Sequence, residues 1–144
     1  MPYRILFALL FLTGCGEAPA PPGDLALGAK VYAQHCGACH GMKLEGQPNW
    51  QQRLPNGRMP APPHDERGHT WHHPDDVLFG IVKNGLVPPY APANYPSDMP
   101  AFASVLSDDD IRAVLAFIAS RWPPEVVKMR KEMIGRQSQS PIRR

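Results

Sequence analysis

No apolar run in this sequence is long enough to cross a bilayer. The longest, Ile5 to Leu12, holds eight residues, where a spanning helix needs about 20. Apolar residues are also few for a self-sufficient core in a 144-residue chain, at 43%, so something besides side chains is expected to fill the interior. A large charge excess is missing too, with 15 basic and 13 acidic residues. The basic surplus sits at the end: residues 125–144 hold six basic and two acidic residues, whereas residues 15–124 hold eight basic and eleven acidic. That basic segment lacks stacking aromatics, which argues against nucleic acid as a partner, and the mildly acidic remainder argues against a strongly basic docking face. Long uninterrupted elements are excluded by 18 prolines and 12 glycines, which punctuate the chain into short helices and loops.

Cysteine is scarce, with Cys15, Cys36 and Cys39 as the full set. Two of them stand in Cys36-Gly37-Ala38-Cys39-His40, and the C-x-x-C-H spacing is what covalent attachment of a c-type haem requires. Thiols three positions apart on one turn can each close a thioether to the same porphyrin, leaving the next imidazole beneath the iron. His40 is then the proximal axial ligand. A thioredoxin-like pair would want a strand ahead of Cys36, and a zinc site another Cys/His pair downstream; neither context is present. One covalent haem c would supply the core that the side chains lack.

Cys15 has a separate reading. Arg4 and the amino terminus precede the apolar run, whose length suits a secretory leader. Leu12-Thr13-Gly14-Cys15 resembles the bacterial lipobox, in which the cysteine is lipidated and begins the mature protein. Residues 1–14 are thus expected to be a lipoprotein signal peptide, and the Pro/Ala-rich residues 15–23 a tether. The competing reading is an ordinary cleavage site near Gly14 or Ala20.

Three helices are expected. Asp24 suits an N-cap, with Leu27, Val31 and Tyr32 following, which places a first helix over 25–36. Residues 41–73 carry Pro48, Pro55, Pro60, Pro62 and Pro63 with interspersed glycines and read as a wrapping loop. Pro74, Asp75 and Asp76 open a middle helix over 74–84, ended by Gly85. A proline-rich course then leads to Met99. Ser107, with Asp110 three residues on, opens a last helix whose apolar face runs Ile111, Val114, Leu115, Ile118, Trp122 before Pro123-Pro124 stops it.

The order helix, haem motif, loop, helix, loop with methionine, helix resembles the class I cytochromes c from about Asp24 to Trp122. The resemblance implies an all-α fold of three or four short helices and long loops around one haem. The domain would span 24–123, with a basic tail over 124–144. It also implies a tight crossing of first and last helices, with Gly28 and Tyr32 facing Leu115, Ile118 and Trp122. A proline carbonyl is implied as acceptor for the second ring nitrogen of His40, Pro48 or alternatively Pro55. Met99, in Met99-Pro100-Ala101-Phe102, is similar to the family's distal-ligand motif. Met42 lies too near His40 to reach the opposite haem face, and Met129 and Met133 lie beyond the last helix; Met59 and the histidines are the alternatives. Haem attachment outside the bacterial cytoplasm is a further implication, and it agrees with the leader and Cys15 on the periplasmic side of a membrane.

A thioether opposite an imidazole fills both axial positions and favours ferrous iron. The expected function is therefore electron carriage between redox partner proteins, not catalysis. Two alternatives stand beside it. One is a haem enzyme or sensor with Met99 unbound and His72 or His73 as a distal acid or base. The other is a copper-handling module built from Met59 and the His64, His69, His72 and His73 cluster. A helical spacing for His69 and His73 is not secured, because Gly68 and Pro74 flank them. The tail after Pro124 reads either as a short helix lined by Val126, Met129 and Met133 or as a solvated terminus.

Overall fold

The computed structural model describes residues 24–139, with side chains described through residue 136. The leader, Cys15 and the tether therefore lie outside the described residues. Among those described, every regular element is helical, in agreement with the expected all-α cytochrome c fold.

Helix α1 (Leu25–Val31) starts where Asp24 accepts the amide protons of Ala26 and Leu27 at 3.0 Å, supplying partners for two of the unpaired donors of a helix start. The helix does not end at Cys36. It widens into a π-helical segment, Tyr32–Cys36, and resumes as α2 (Gly37–His40). The whole haem-attachment motif thus lies on one continuous helical path, which Gly41 ends at φ 80°. Such π segments recur at functional sites, because one extra residue per turn re-aims the side chains that follow.

A 3-10 turn, Thr70–His72, leads into α3 (Asp75–Asn84), for which Pro74 is the N-cap residue and Gly85 the terminator at φ 79°. Helix α4 (Asp108–Ala119) opens with a complete capping box. The Asp110 amide donates to the Ser107 hydroxyl at 3.1 Å, and the Ser107 amide donates to the Asp110 carboxylate at 3.0 Å. Burial of Ile111, Ala113, Val114, Phe117 and Ile118 turns one face of α4 to the core. That face crosses α1 at Gly28, so the expected crossing is present. Its partners differ: a Cβ on Gly28 would run into the backbone of Ala113 and lie 2.8 Å from the Phe117 Cβ. Tyr32 packs on the Phe117 ring at 5.5 Å.

Helix α4 ends at Ala119, and Trp122 is buried just past it. Pro124 then begins a 16-residue helix, α5 (Pro124–Gln139). A proline pair that stops one helix can open the next, because the first helical position needs no amide donor. Val126 and Arg130 of α5 are both buried, at 5% and 9% exposure. Residues 124–139 thus form a helix docked through Val126 and Arg130, as the short-helix reading expects.

Candidate functional site

Loop 41–69 folds back beneath the motif. Gly46 donates its amide to the His40 carbonyl at 2.7 Å, Gln47 pairs with Ala61 through both backbone and side chain at 2.9 Å, and the His64 amide donates to Leu44 at 2.8 Å. Leu44 holds a left-handed φ of 66° while 95% buried, an unusual conformation for a branched residue. Its carbonyl accepts from both His64 and Asp65. Glycine makes the approach possible, since a Cβ on Gly46 would meet Pro63 and one on Gly68 would meet the Pro63 carbonyl.

This closure brings a proline carbonyl to His40, and it is neither of the expected ones. His40 Nδ1 lies 2.8 Å from the carbonyl oxygen of Pro62. Pro48 and Pro55 both occur in the same loop, but the pairing is set by where the loop closes, which local spacing does not encode. A carbonyl only accepts, so Nδ1 carries the proton and Nε2 presents its lone pair. Burial pushes the His40 pKa below the ordinary histidine value, with the Pro62 bond opposing it. The imidazole is thus neutral and in the tautomer that metal ligation through Nε2 needs.

Both motif thiols are free, Cys36 half-buried and Cys39 exposed. Burial, and then the neighbouring Cys39, push the Cys36 thiol up to about 11. A dithiol redox pair needs the opposite, a thiol lowered into the thiolate range. The two side chains therefore fit thioether attachment better than disulfide exchange. Tyr32, buried at the start of the π segment, donates its hydroxyl to the Gly41 carbonyl at 3.0 Å and so ties that segment to the end of the helical path. Gly37 is buried, and a Cβ there would meet the Met42 thioether.

Met99 is half-buried and packs on the same apolar cluster as Cys36. Its amide donates to the Ser97 hydroxyl at 3.0 Å. The loop just beyond is pinned to the last turn of α3, Phe102 donating to Val82 at 3.1 Å and Ala103 to Lys83 at 3.0 Å. Met42 lies against Gly37 and is 62% exposed. Met59 is half-buried in loop 41–69 and is not among the described residues packed on that cluster.

The histidines divide. His64 stacks on His40 with ring centroids 3.9 Å apart and planes 18° apart. Its Nδ1 is closed off from solvent without a hydrogen-bond partner. Nothing in the local pattern around Pro63-His64 signals this contact. His69 stacks on Trp50 at 5.5 Å, and His72 lies against Trp71 at 3.7 Å. His69 and His73 approach edge to face at 5.5 Å. Among the described residues, no group of three or more His, Cys, Asp or Glu side chains gathers to hold a metal ion.

These features fit a covalently bound metalloporphyrin: two thiols on one helical path, a neutral imidazole with Nε2 available, and a methionine on the shared apolar cluster. No helix among the described residues is long and apolar enough to cross a membrane. No curated protein and no solved structure matches the chain. The family model described as cytochrome c oxidase, cbb3-type, subunit III matches residues 23–118, well over half of the 144 residues. The chain thus belongs to the cbb3-type cytochrome c oxidase subunit III family and is a class I monohaem c-type cytochrome, its haem c covalently bound and its business haem-based electron transfer.

Proposed function

We propose that the chain is a periplasmic, membrane-tethered electron carrier whose haem is attached through Cys36 and Cys39 and ligated by His40 Nε2 and Met99. The observation that carries this reading is the fixed tautomer of His40, set by the 2.8 Å bond from Nδ1 to Pro62. When bound, the haem supplies a one-electron couple. His40 contributes a neutral donor whose basicity is raised by the Pro62 carbonyl. Met99 contributes a soft, weakly donating thioether that favours the reduced state. With His40 and Met99 both holding the iron, no position would remain for substrate, which would separate a carrier from a haem enzyme. The match to an oxidase subunit family supports a redox partner protein on each side of the transfer, with service as a fixed subunit of an oxidase complex as one arrangement. The domain would span 24–123 with α5 following, and Cys15, lipidated, would hold the protein to the membrane through the 15–23 tether.

The test is spectroscopic. Ferric protein shows the weak near-infrared charge-transfer band of methionine ligation, and Met99→Ala abolishes it while Met59→Ala does not. An unchanged band in Met99→Ala refutes the distal assignment and moves it to another methionine, whereas a wild-type protein without the band returns the open-iron reading. Replacement of Cys15 by Ser moves the protein from the membrane fraction to the soluble one; retention in the membrane refutes the anchor.

A further inference from the structure

The Nδ1 bond to Pro62 fixes which nitrogen of His40 faces the iron, but by itself leaves the imidazole free to swing about that bond. A second contact removes this freedom. The His64 ring lies flat against His40, 3.9 Å between centroids and 18° between planes. Pro62 and His64 belong to one short run of backbone, so a single segment grips the imidazole by its edge and by its face.

The segment is itself held from the far end of the chain. The indole of Trp122 donates to the His64 carbonyl at 2.9 Å, and Trp122 is only 7% exposed. The Arg130 guanidinium of α5 lies over the Trp122 ring at 5.3 Å. Arg130 is in turn fixed by Nη1 to the carbonyls of Trp71 at 2.8 Å and His73 at 2.5 Å, and by Nη2 to the Asp75 carboxylate at 2.5 Å. A buried guanidinium with all these acceptors is a rigid support, because leaving any one unpaired costs its desolvation. The path runs from α5 through Trp122 and His64 to the imidazole. Trp122 and Arg130 both lie beyond residue 118, where the family match ends.

We propose that His64 is a positioning residue for the haem's proximal ligand, fixing the plane of the His40 imidazole by stacking, and that Trp122 and Arg130 act through it. This rests on His40 being the ligand, as set out above. Helix α5 is then part of what tunes the iron, although it contributes nothing to the attachment motif. The orientation of an axial imidazole determines how the unpaired electron of ferric haem spreads over the porphyrin, and the strength of its Nδ1 bond sets its donor power. Loosening the support therefore changes both without removing either ligand.

The experiment uses the haem-loaded protein and four variants: His64→Leu, which keeps bulk but loses the flat ring; His64→Phe, which keeps a stacking ring; Trp122→Phe, which keeps the ring beneath Arg130 but loses the indole donor; and Arg130→Gln. Three quantities are read: the spread of the haem methyl resonances in ferric proton spectra, the solvent exchange of the His40 Nδ1 proton, and the reduction potential. His64→Leu and Trp122→Phe are expected to shift the methyl pattern and the potential and to quicken exchange about tenfold, the change that goes with losing roughly one neutral hydrogen bond of restraint. Arg130→Gln is expected to shift them in the same direction, and His64→Phe to restore the methyl pattern. Wild-type values of all three in both His64→Leu and Trp122→Phe, with the near-infrared band retained, overturn the proposal and leave the ligation reading standing. If His64→Leu loses its haem, Trp122→Phe alone decides, since its core packing is conserved. Failure of the ligation reading shows differently, as a His40→Ala protein whose axial spectrum matches wild type.

Discussion

Gly28→Ala tests the crossing on which the site is mounted. The added Cβ would lie 2.8 Å from the Phe117 Cβ and 2.7 Å from the carbonyl carbon of Ala113, where ordinary carbon contacts sit at about 3.5–4.0 Å. Helices α1 and α4 must part by about 1 Å, and every other contact across the crossing loses a quarter or more of its attraction. Overpacking of this kind costs about 1–3 kcal/mol. The upper half of that range applies, because the wall is backbone and cannot rotate aside. Alanine returns about 1 kcal/mol through helix propensity, leaving a net loss of ~1–2 kcal/mol. In a domain of this size that lowers Tm by about 5–10 °C, read by far-ultraviolet circular dichroism on the haem-loaded protein. The control is Gly135→Ala in α5, where nothing lies within 4 Å of the new Cβ; there propensity acts alone and stability rises by up to about 1 kcal/mol. The two substitutions are chemically identical and opposite in predicted sign. If Gly28→Ala melts at or above wild type, the close crossing is not what holds α1 on α4.

The remaining predictions concern pH and capping. Burial holds His64 well below the ordinary histidine pKa of 6.5. The unfolded chain then binds protons that the folded chain refuses, so stability is fully present above the unfolded pKa and is lost as pH falls below it. The urea midpoint of the haem-loaded protein should drop between about pH 7 and pH 5, and drop less in His64→Leu; an equal drop in both would refute the role of His64. Ser107→Ala removes the hydroxyl that accepts the Asp110 amide and should cost about 1 kcal/mol in urea unfolding, with Ser107→Asn recovering most of it. Equal losses for Ala and Asn would show that the cap contributes nothing.

What was legible in the sequence is what local chemistry determines. Asp24, the Ser107–Asp110 pair and Gly85 mark helix ends through their own side chains or lack of one, and they stand where they were expected. The sequence pattern places the end of the first helix at Cys36; in the fold the helical path continues to His40 through a π segment. A 3.6-residue template cannot register that extra residue. At the crossing, Gly28 was legible, but its partners are Ala113 and Phe117, each one residue before Val114 and Ile118 of the expected stripe. Trp122 left that stripe because α4 ends at Ala119. The acceptor of His40 was legible only as a proline in the loop, since which proline depends on Gly46 and Gly68 admitting Pro63. His64 was visible only as one of a histidine cluster, because its stack on His40 is a product of that same closure.

The supports on the two sides of the proposed ligand pair are unequal in kind. His40 is gripped by a segment that is bonded to Leu44, closed by glycine contacts and braced through Trp122 from α5. Met99 stands in a proline-rich loop held by the Ser97 hydroxyl, by Arg58, which donates to the Ser97 carbonyl at 2.8 Å and pairs with Asp98, and by two backbone bonds to the last turn of α3. The ion pair between Lys83 and Asp108, at 2.7 Å, joins that turn to the start of α4, but both partners are solvent-accessible and such pairs contribute little. With His40 and Met99 as the pair, the nitrogen donor would stand on the segment braced from α5 and the thioether on the loop pinned by Arg58 and α3. Rigidity on the proximal side is thus a property of chain closure as much as of the attachment motif, and it draws on residues up to Arg130 that the five-residue motif does not announce.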